Sequence, residues 1–198
     1  MSQELPTTSY ALLGLLAFGD DLSGYELKQR ADRTLRFYWV SPAMSQVYTE
    51  LTRLARLHLV QSRDDDRQQG RRTRRYRITA KGCRDLQRWL RTAPLEFPAL
   101  KHPIALRLLL GHLVDPESSQ ELLRGYLTAL QQRRAELQMV RDSLGADSAA
   151  EDPFRFARLV ADWGLDYYDS EREIVSDLVR RIAGASRRAV GKASTPEG

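Results

Sequence analysis

The order of short periodic segments in the first 90 residues constrains the fold more than any other feature of this chain. Three helical patterns, at residues 9–18, 23–35 and 42–57, precede two strand-like patterns at 59–63 and 74–78. A further helical pattern follows from residue 79 to 90. Three helices, a hairpin and a closing helix in this order predict a winged helix-turn-helix.

Cap residues mark where two of these helices are expected to begin. Ser23 with Glu26 three residues later has the spacing of a capping box. Ser41 followed by Pro42 predicts a cap and a first helical residue for the third helix.

The third helix has one apolar and one polar face. Val47, Leu51, Leu54 and His58 recur at helical spacing and are expected to face the core. The opposite face carries hydrogen-bonding side chains, namely Ser45, Thr49, Thr52 and Arg56, with Gln46 and Arg53 at one edge and Tyr48 at the other. Any solvated helix can have such a face, but base edges and phosphates are read by the same donors and acceptors.

Arginine is concentrated around Gly70, where the hairpin tip is expected. Seven arginines fall within fifteen residues there: Arg63, Arg67, Arg71, Arg72, Arg74, Arg75 and Arg77. Residues 1–92 contain 17 basic and 10 acidic side chains, a net charge of +7, whereas the remaining residues carry a net −2. Although Asp64–Asp66 neutralises part of the run, an arginine-rich wing suits contact with phosphates or the minor groove. The alternative, a winged helix used as a protein-interaction module without specific DNA recognition, does not explain this charge.

The second half of the chain has only helical patterns. Prolines at 94, 98 and 103 indicate a boundary, and helices are expected at residues 104–113, 116–144 and 153–182. Leucines recur every seven residues at 123, 130, 137 and 144, and an apolar stripe in the last helix comprises Phe156, Val160, Trp163, Tyr167, Ile174, Leu178 and Ile182. These patterns fit either an intramolecular bundle or a dimer interface. A helix of roughly 45 Å favours the dimer, because a domain this small cannot bury its whole stripe.

The predicted fold class is therefore mainly α, with an N-terminal winged helix-turn-helix and an all-α C-terminal dimerisation domain. We expect a DNA-binding domain at residues 1–92, a helical domain at 104–185 and a disordered tail at 186–198.

Catalytic and metal-binding signals are weak. The chain has one cysteine, Cys83, and three histidines without a ligand cluster, and it lacks phosphate-binding glycine and nucleophile-elbow motifs. We therefore expect no enzyme activity, cofactor or metal. The start of the chain lacks a secretory pattern and no apolar run is long enough for a membrane span, so a cytoplasmic protein is expected.

Four motifs in the right order resemble the PadR family of transcriptional regulators. They are Ala11–Leu16 (ALLGLL), Ser23–Leu27 (SGYEL), Ser45–Tyr48 (SQVY) with Leu51 and Leu54, and Tyr76–Gly82 (YRITAKG). The helical second half is similar in length and pattern to the larger PadR subfamily. The resemblance implies a homodimer on a palindromic operator, most often a repressor, which a small molecule releases in several members. The sequence departs from the family pattern at His58, where the family commonly has a glycine that supplies a left-handed helix end.

The resemblance and the residue pattern together give a predicted DNA-contacting set: Tyr25, Ser41, Ser45, Gln46, Tyr48, Thr49, Arg53, Arg56, Arg71, Arg72 and Arg74. For Tyr25 the alternative is packing between helices. Trp163 and Tyr167 are the predicted contacts for a small aromatic effector, although each has the alternative role of a core residue.

Overall fold

The computed structural model describes residues 5–65, 73–95, 97, 101–145 and 152–193, with side chains through residue 184. The chain divides into two compact units, Met1–Glu96 and Phe97–Gly198.

The N-terminal unit is a winged helix-turn-helix, as the segment order predicts. Its helices and strands are α1 (Thr7–Leu16), β1 (Leu22–Ser23), α2 (Gly24–Thr34), α3 (Met44–Arg56), β2 (Val60–Asp65), β3 (Thr73–Ile78) and α4 (Ala80–Thr92). The three strands form an antiparallel sheet in the order β1-β3-β2, in which Tyr76 lies opposite both Leu22 and Ser62. Strand β1 was not predicted, because two residues are too few to show a period of two.

A leucine-rich core joins α1, α2 and α3. Leu12, Leu16, Leu27, Leu51 and Leu54 are each fully buried. The predicted capping box of α2 is present, since the Glu26 amide donates to Ser23 Oγ and the Ser23 amide donates to the Glu26 carboxylate. This box fixes where α2 starts, directly after strand β1.

The predicted start of α3 is wrong. The helix begins at Met44, after an extended Ala43 that makes no side-chain cap, and not at Pro42. Ser41 does not cap α3, because its hydroxyl donates to Asp32 Oδ1 at 2.6 Å and is thereby tied to α2.

The predicted position of His58 on the core face of α3 is wrong. His58 is exposed, since α3 ends at Arg56 and a positive φ of 58° at His58 turns the chain away. The His58 amide donates to the Ala55 carbonyl at 3.0 Å, and the Leu59 amide donates to the Leu54 carbonyl at 2.9 Å. These two bonds form a Schellman motif, so histidine here adopts the left-handed helix end for which glycine is the usual residue.

The C-terminal unit is all helical, as predicted. It comprises α5 (Pro103–Leu109), a 3₁₀ turn (Gly111–Leu113), α6 (Pro116–Ser143) and α7 (Arg155–Ala193), with α6 packed along α7. Ile104, Leu123 and Val175 form the centre of its core, and the heptad residues Leu130 and Leu137 are also buried.

Helix α7 is longer than its sequence pattern predicts. It runs to Ala193, whereas an unstructured tail was expected from residue 186, and residues 194–198 lie outside the described part. Alanine, arginine and lysine dominate residues 183–193, and all three favour helix.

The predicted apolar stripe of α7 divides into two parts. Leu178 and Ile182 pack against the core of the unit. The other five side chains are exposed in the single chain: Phe156, Val160, Trp163, Tyr167 and Ile174. We call these five residues the α7 stripe. In the described part of the chain, no helix is both long and apolar enough to cross a membrane.

Candidate nucleic-acid interface

Helix α3 presents a polar, exposed face and buries the opposite one. Val47, Leu51 and Leu54 are fully buried against α1 and α2. The exposed side chains are those predicted from the sequence, namely Ser45, Gln46, Tyr48, Thr49, Thr52 and Arg56. We call this surface the α3 face.

Two threonines of the α3 face have their hydroxyl hydrogens engaged. Thr49 Oγ1 donates to the Ser45 carbonyl and Thr52 Oγ1 donates to the Tyr48 carbonyl, each at 2.9 Å. Each threonine therefore offers lone pairs and a methyl group to a partner, a combination suited to a base-edge donor and to a thymine methyl.

The two arginines of α3 differ in their partners. Arg53 Nη1 lies 3.3 Å from Glu50 Oε2, at the edge of the α3 face. Exposed Arg56 has no acidic partner among the described residues. Arg56 can therefore meet a phosphate or a guanine edge without first breaking an ion pair.

Glu50 is a buried carboxylate that the sequence interpretation missed. It is only 5% exposed and accepts a hydrogen bond from the buried hydroxyl of Ser9 in α1. Its position about 60° from Val47 on the helix already places it beside the buried face, and this signal identifies it in retrospect. Glu50 links α3 to α1 through a polar bond and holds Arg53.

Tyr25 and Tyr48 add two aromatic side chains beside the α3 face. Tyr25 is 58% exposed, which disfavours the alternative that its ring packs between helices. The Tyr48 ring lies so close to Gly24 that a Cβ there would be 2.5 Å from Tyr48 Cε1. The Tyr48 ring therefore occupies space that is open because residue 24 is a glycine.

The described wing arginines are paired with acidic residues of β2 and of the segment before β1. Arg74 Nε lies 3.3 Å from Asp64 Oδ1, and both side chains are more than half exposed. Asp21 receives both Arg63, at 2.6 Å, and Arg77. Arg71 and Arg72, predicted as DNA contacts, lie outside the described residues.

Arg75 is more buried than the neighbouring arginines Arg74 and Arg77 and contacts three residues. Its guanidinium donates to the Asp21 carbonyl at 2.7 Å and lies 2.8 Å from Asp65 Oδ2 and 3.3 Å from Glu26 Oε2. The Ser23 amide first, and then the Ser23 hydroxyl and Arg75, hold the pKa of Glu26 below its ordinary value. This cluster joins the wing to the start of α2.

Three further residues predicted as DNA or effector contacts, Ser41, Trp163 and Tyr167, lie outside the α3 face and the wing. Ser41 is half-buried in the connector before α3, where its hydroxyl is engaged with Asp32. Trp163 and Tyr167 belong to the C-terminal unit, with ring centroids 6.4 Å apart on the α7 stripe. No group of three or more potential metal ligands occurs in the described part of the chain.

Family models match both units. Residues 12–88 match the transcriptional regulator PadR-like family, and residues 100–180 match the virulence activator alpha C-term family.

Individual relatives agree with these family matches. The negative transcriptional regulator PadR of Bacillus subtilis is 29% identical over 149 residues, covering 75% of this chain and 79% of the relative. The crystal structure of Bacillus subtilis PadR in complex with operator DNA has a TM-score of 0.79 at 22% identity, covering 89% of this chain and 99% of that one. The same protein in complex with p-coumaric acid gives a TM-score of 0.72 at 22% identity, covering 90% and 99%. At this identity the two structures establish a shared fold.

Proposed function

Since this chain belongs to the PadR-like family of transcriptional regulators, we propose that it represses transcription as a homodimer on a palindromic operator and is released by a small aromatic effector. It is a DNA-binding regulator and not an enzyme. We place its action in the cytoplasm, in contact with the chromosome.

The α3 face is the observation that carries this proposal. Ser45, Gln46 and Thr49 stand at the N-terminal end of α3, the part of a recognition helix that meets base edges in the major groove. Arg53 and Arg56 follow on the same side and reach bases or the flanking phosphates. Tyr25 and Tyr48 border the contact, while Ser41 precedes it in the connector.

The wing supplies the phosphate contacts in this proposal. The Arg74–Asp64 pair is exposed, and such pairs contribute little free energy, so Arg74 can exchange Asp64 for a phosphate at small cost. Arg71 and Arg72 are assigned the same role from the sequence. Neutralised phosphates release counterions, which makes the affinity depend steeply on salt.

The two halves of the chain have separate roles in the proposal. Residues 1–92 bind DNA, and residues 104–185 form the dimer through the exposed apolar side chains of the α7 stripe. A two-fold dimer presents two α3 helices to half-sites about 34 Å apart, which is why the operator is expected to be palindromic.

Two findings on relatives support the repressor role and the effector. The curated relative is a negative regulator, and Bacillus subtilis PadR has been crystallised with p-coumaric acid. Trp163 and Tyr167 remain candidates for contact with an aromatic effector.

Selection of bound genomic DNA fragments, followed by footprinting, tests the proposal. We expect one inverted repeat to be enriched, protection of two half-sites about one helical turn apart, and inhibition of transcription in vitro from the adjacent promoter. Recovery of fragments without a common sequence contradicts specific recognition, and stimulated transcription contradicts the repressor role alone.

A further inference from the structure

Arg53, at the edge of the α3 face, is held by a carboxylate that lies inside the protein. Arg53 Nη1 is 3.3 Å from Glu50 Oε2, one helical turn earlier in α3. The Arg53 side chain is 41% exposed, whereas that of Glu50 is only 6% exposed. The pair therefore runs from the core of the N-terminal unit to the surface that meets DNA in the proposed function.

Glu50 is itself fixed from the interior. The hydroxyl of Ser9, fully buried in α1, donates to the same carboxylate oxygen that Arg53 contacts. A buried carboxylate is costly unless it is hydrogen-bonded and paired with a charge, and Glu50 receives the first from Ser9 and the second from Arg53. Loss of Arg53 from the pair would leave the carboxylate buried without a cation, so we expect the pair to persist when Arg53 meets DNA.

Arg53 keeps donors for a second partner. A guanidinium has five N–H groups in a planar fork, and the bond to Glu50 uses one of them. Exposed Gln46 and Thr49 lie seven and four residues before Arg53, so helical geometry places the three in one row along α3. A fork held in this row can give two parallel hydrogen bonds to a guanine edge, the commonest specific contact in the major groove.

We propose that Glu50 is a positioning residue for base recognition: fixed by Ser9, its carboxylate orients Arg53 toward a guanine of the operator. The proposal rests on the proposed function, because it requires that α3 reads an operator. A long side chain that is oriented before binding loses less entropy at binding, and a held fork cannot turn to match another base. Glu50 acts through Arg53 alone, since its own side chain is buried.

A double-mutant cycle on DNA binding tests the proposal. The full-length wild type, Glu50→Gln, Arg53→Ala and the double variant are titrated with the selected operator and with operators in which each G·C pair is replaced symmetrically in both half-sites. We expect one replacement to cost wild type about tenfold in affinity, Arg53→Ala to lose this preference, and Glu50→Gln to reduce it about threefold to tenfold. In the Arg53→Ala background, Glu50→Gln should change the preference no further.

Two single variants separate positioning from folding, and urea denaturation shows that each is folded under the conditions of the titration. Ser9→Ala keeps the Glu50 carboxylate but removes the bond that orients it, and should reduce the same preference. Asp85→Asn is the matched control, because Asp85 in α4 also pairs with an arginine three residues away, Arg88. It should leave the affinity for every operator unchanged.

Three results overturn the proposal. They are an equal loss of affinity for all operators in Glu50→Gln, as a role in stability alone predicts, an effect of Glu50→Gln on the preference that is the same with and without Arg53, and no G·C pair whose preference depends on Arg53. Each of these leaves the proposed function intact, since wild type still selects an operator. Selected fragments without a common sequence contradict both.

Discussion

His58 is held in a backbone conformation that side chains disfavour. Its φ of 58° places it in the left-handed region, and two hydrogen bonds of the Schellman motif keep it there. A left-handed non-glycine residue costs roughly 1–2 kcal/mol, whereas glycine adopts this region freely.

Replacing His58 with glycine is therefore expected to stabilise the protein. After the greater entropy of glycine in the unfolded chain is subtracted, the gain is about 0.5–1 kcal/mol in the free energy of unfolding. Urea denaturation measures it, with His58→Ala as the control that retains the backbone cost. Equal stabilities of the glycine and alanine variants would show that the left-handed conformation carries no such cost.

Single residues of α3 were largely predictable because helical periodicity fixes which face each side chain occupies. Val47, Leu51 and Leu54 are buried and Ser45, Thr49 and Arg56 are exposed, as the 3.6-residue period requires. The same period places Glu50 beside the buried face, but its hydrogen bond to Ser9 has no local signal, because Ser9 lies 41 residues away in the sequence.

At the scale of elements, one short segment fastens the end of α3 to the start of α4. Thr79 Oγ1 donates to the His58 carbonyl at 2.8 Å and accepts the Gly82 amide at 3.0 Å, capping α4. Lys81 donates to the Leu57 carbonyl. A Cβ on Gly82 would lie 2.2 Å from the Leu59 carbonyl oxygen, so α4 can approach only at a glycine.

Gly82→Ala is accordingly expected to destabilise the protein by about 2–3 kcal/mol, because the clash is with backbone and forces α4 away from Leu59. Thermal unfolding measures the loss. Gly14→Ala in α1 is the matched control, since nothing lies within 4 Å of its added Cβ. A Gly82→Ala protein as stable as the Gly14→Ala protein would refute the close approach.

The capping box of α2 predicts a pH dependence of stability. The pKa of Glu26 is lowered from 4.5 by the Ser23 amide, the Ser23 hydroxyl and Arg75. A lowered pKa contributes stability that is complete above pH 4.5 and is lost as the pH falls through the lowered value.

Wild type should therefore exceed Glu26→Gln in stability at neutral pH, and this difference should shrink by about pH 3. Urea denaturation at both pH values measures it, and Glu121→Gln on exposed α6 controls for the loss of a carboxylate. A difference between wild type and Glu26→Gln that stays constant with pH would contradict the assigned role of Glu26.

The type and order of elements followed from the sequence, but some boundaries did not. The Ser41-Pro42 pair has the local chemistry of a helix start, yet the tertiary bond from Ser41 to Asp32 takes precedence and α3 starts at Met44. Strand β1 depends on pairing with β3, more than 50 residues away, and so has no local signal.

At the scale of the whole molecule, the α7 stripe is the exposed apolar surface that we propose for dimerisation. Its five residues lie within about 60° of one another on the helix, and Trp163 is 62% exposed in the single chain. The sequence predicted the stripe but left open whether a bundle or a partner covers it. Two of the seven residues predicted for the stripe, Leu178 and Ile182, are partly buried against the core of the helical unit.

Introducing charge into the α7 stripe should dissociate the proposed dimer. We expect wild type to sediment as a dimer at micromolar concentration and Val160→Lys/Trp163→Lys as a monomer, because two ammonium groups cannot be buried unpaired. Gln131→Lys/Gln132→Lys adds the same charge to exposed positions of α6 and should remain dimeric. A monomeric wild type, or a dimeric α7 variant, would contradict the assignment.

The central claim is that the α3 face reads bases while the wing holds phosphates. The measurement that tests it most directly is the affinity for the selected operator and for unrelated duplex DNA across a salt series. We expect Arg56→Ala to lose about 1–3 kcal/mol on the operator and much less on unrelated DNA, and Arg72→Ala/Arg74→Ala to weaken both and flatten the salt dependence. The control Arg84→Ala should match wild type. Operator preference and salt slope unchanged in both test variants would contradict the claim.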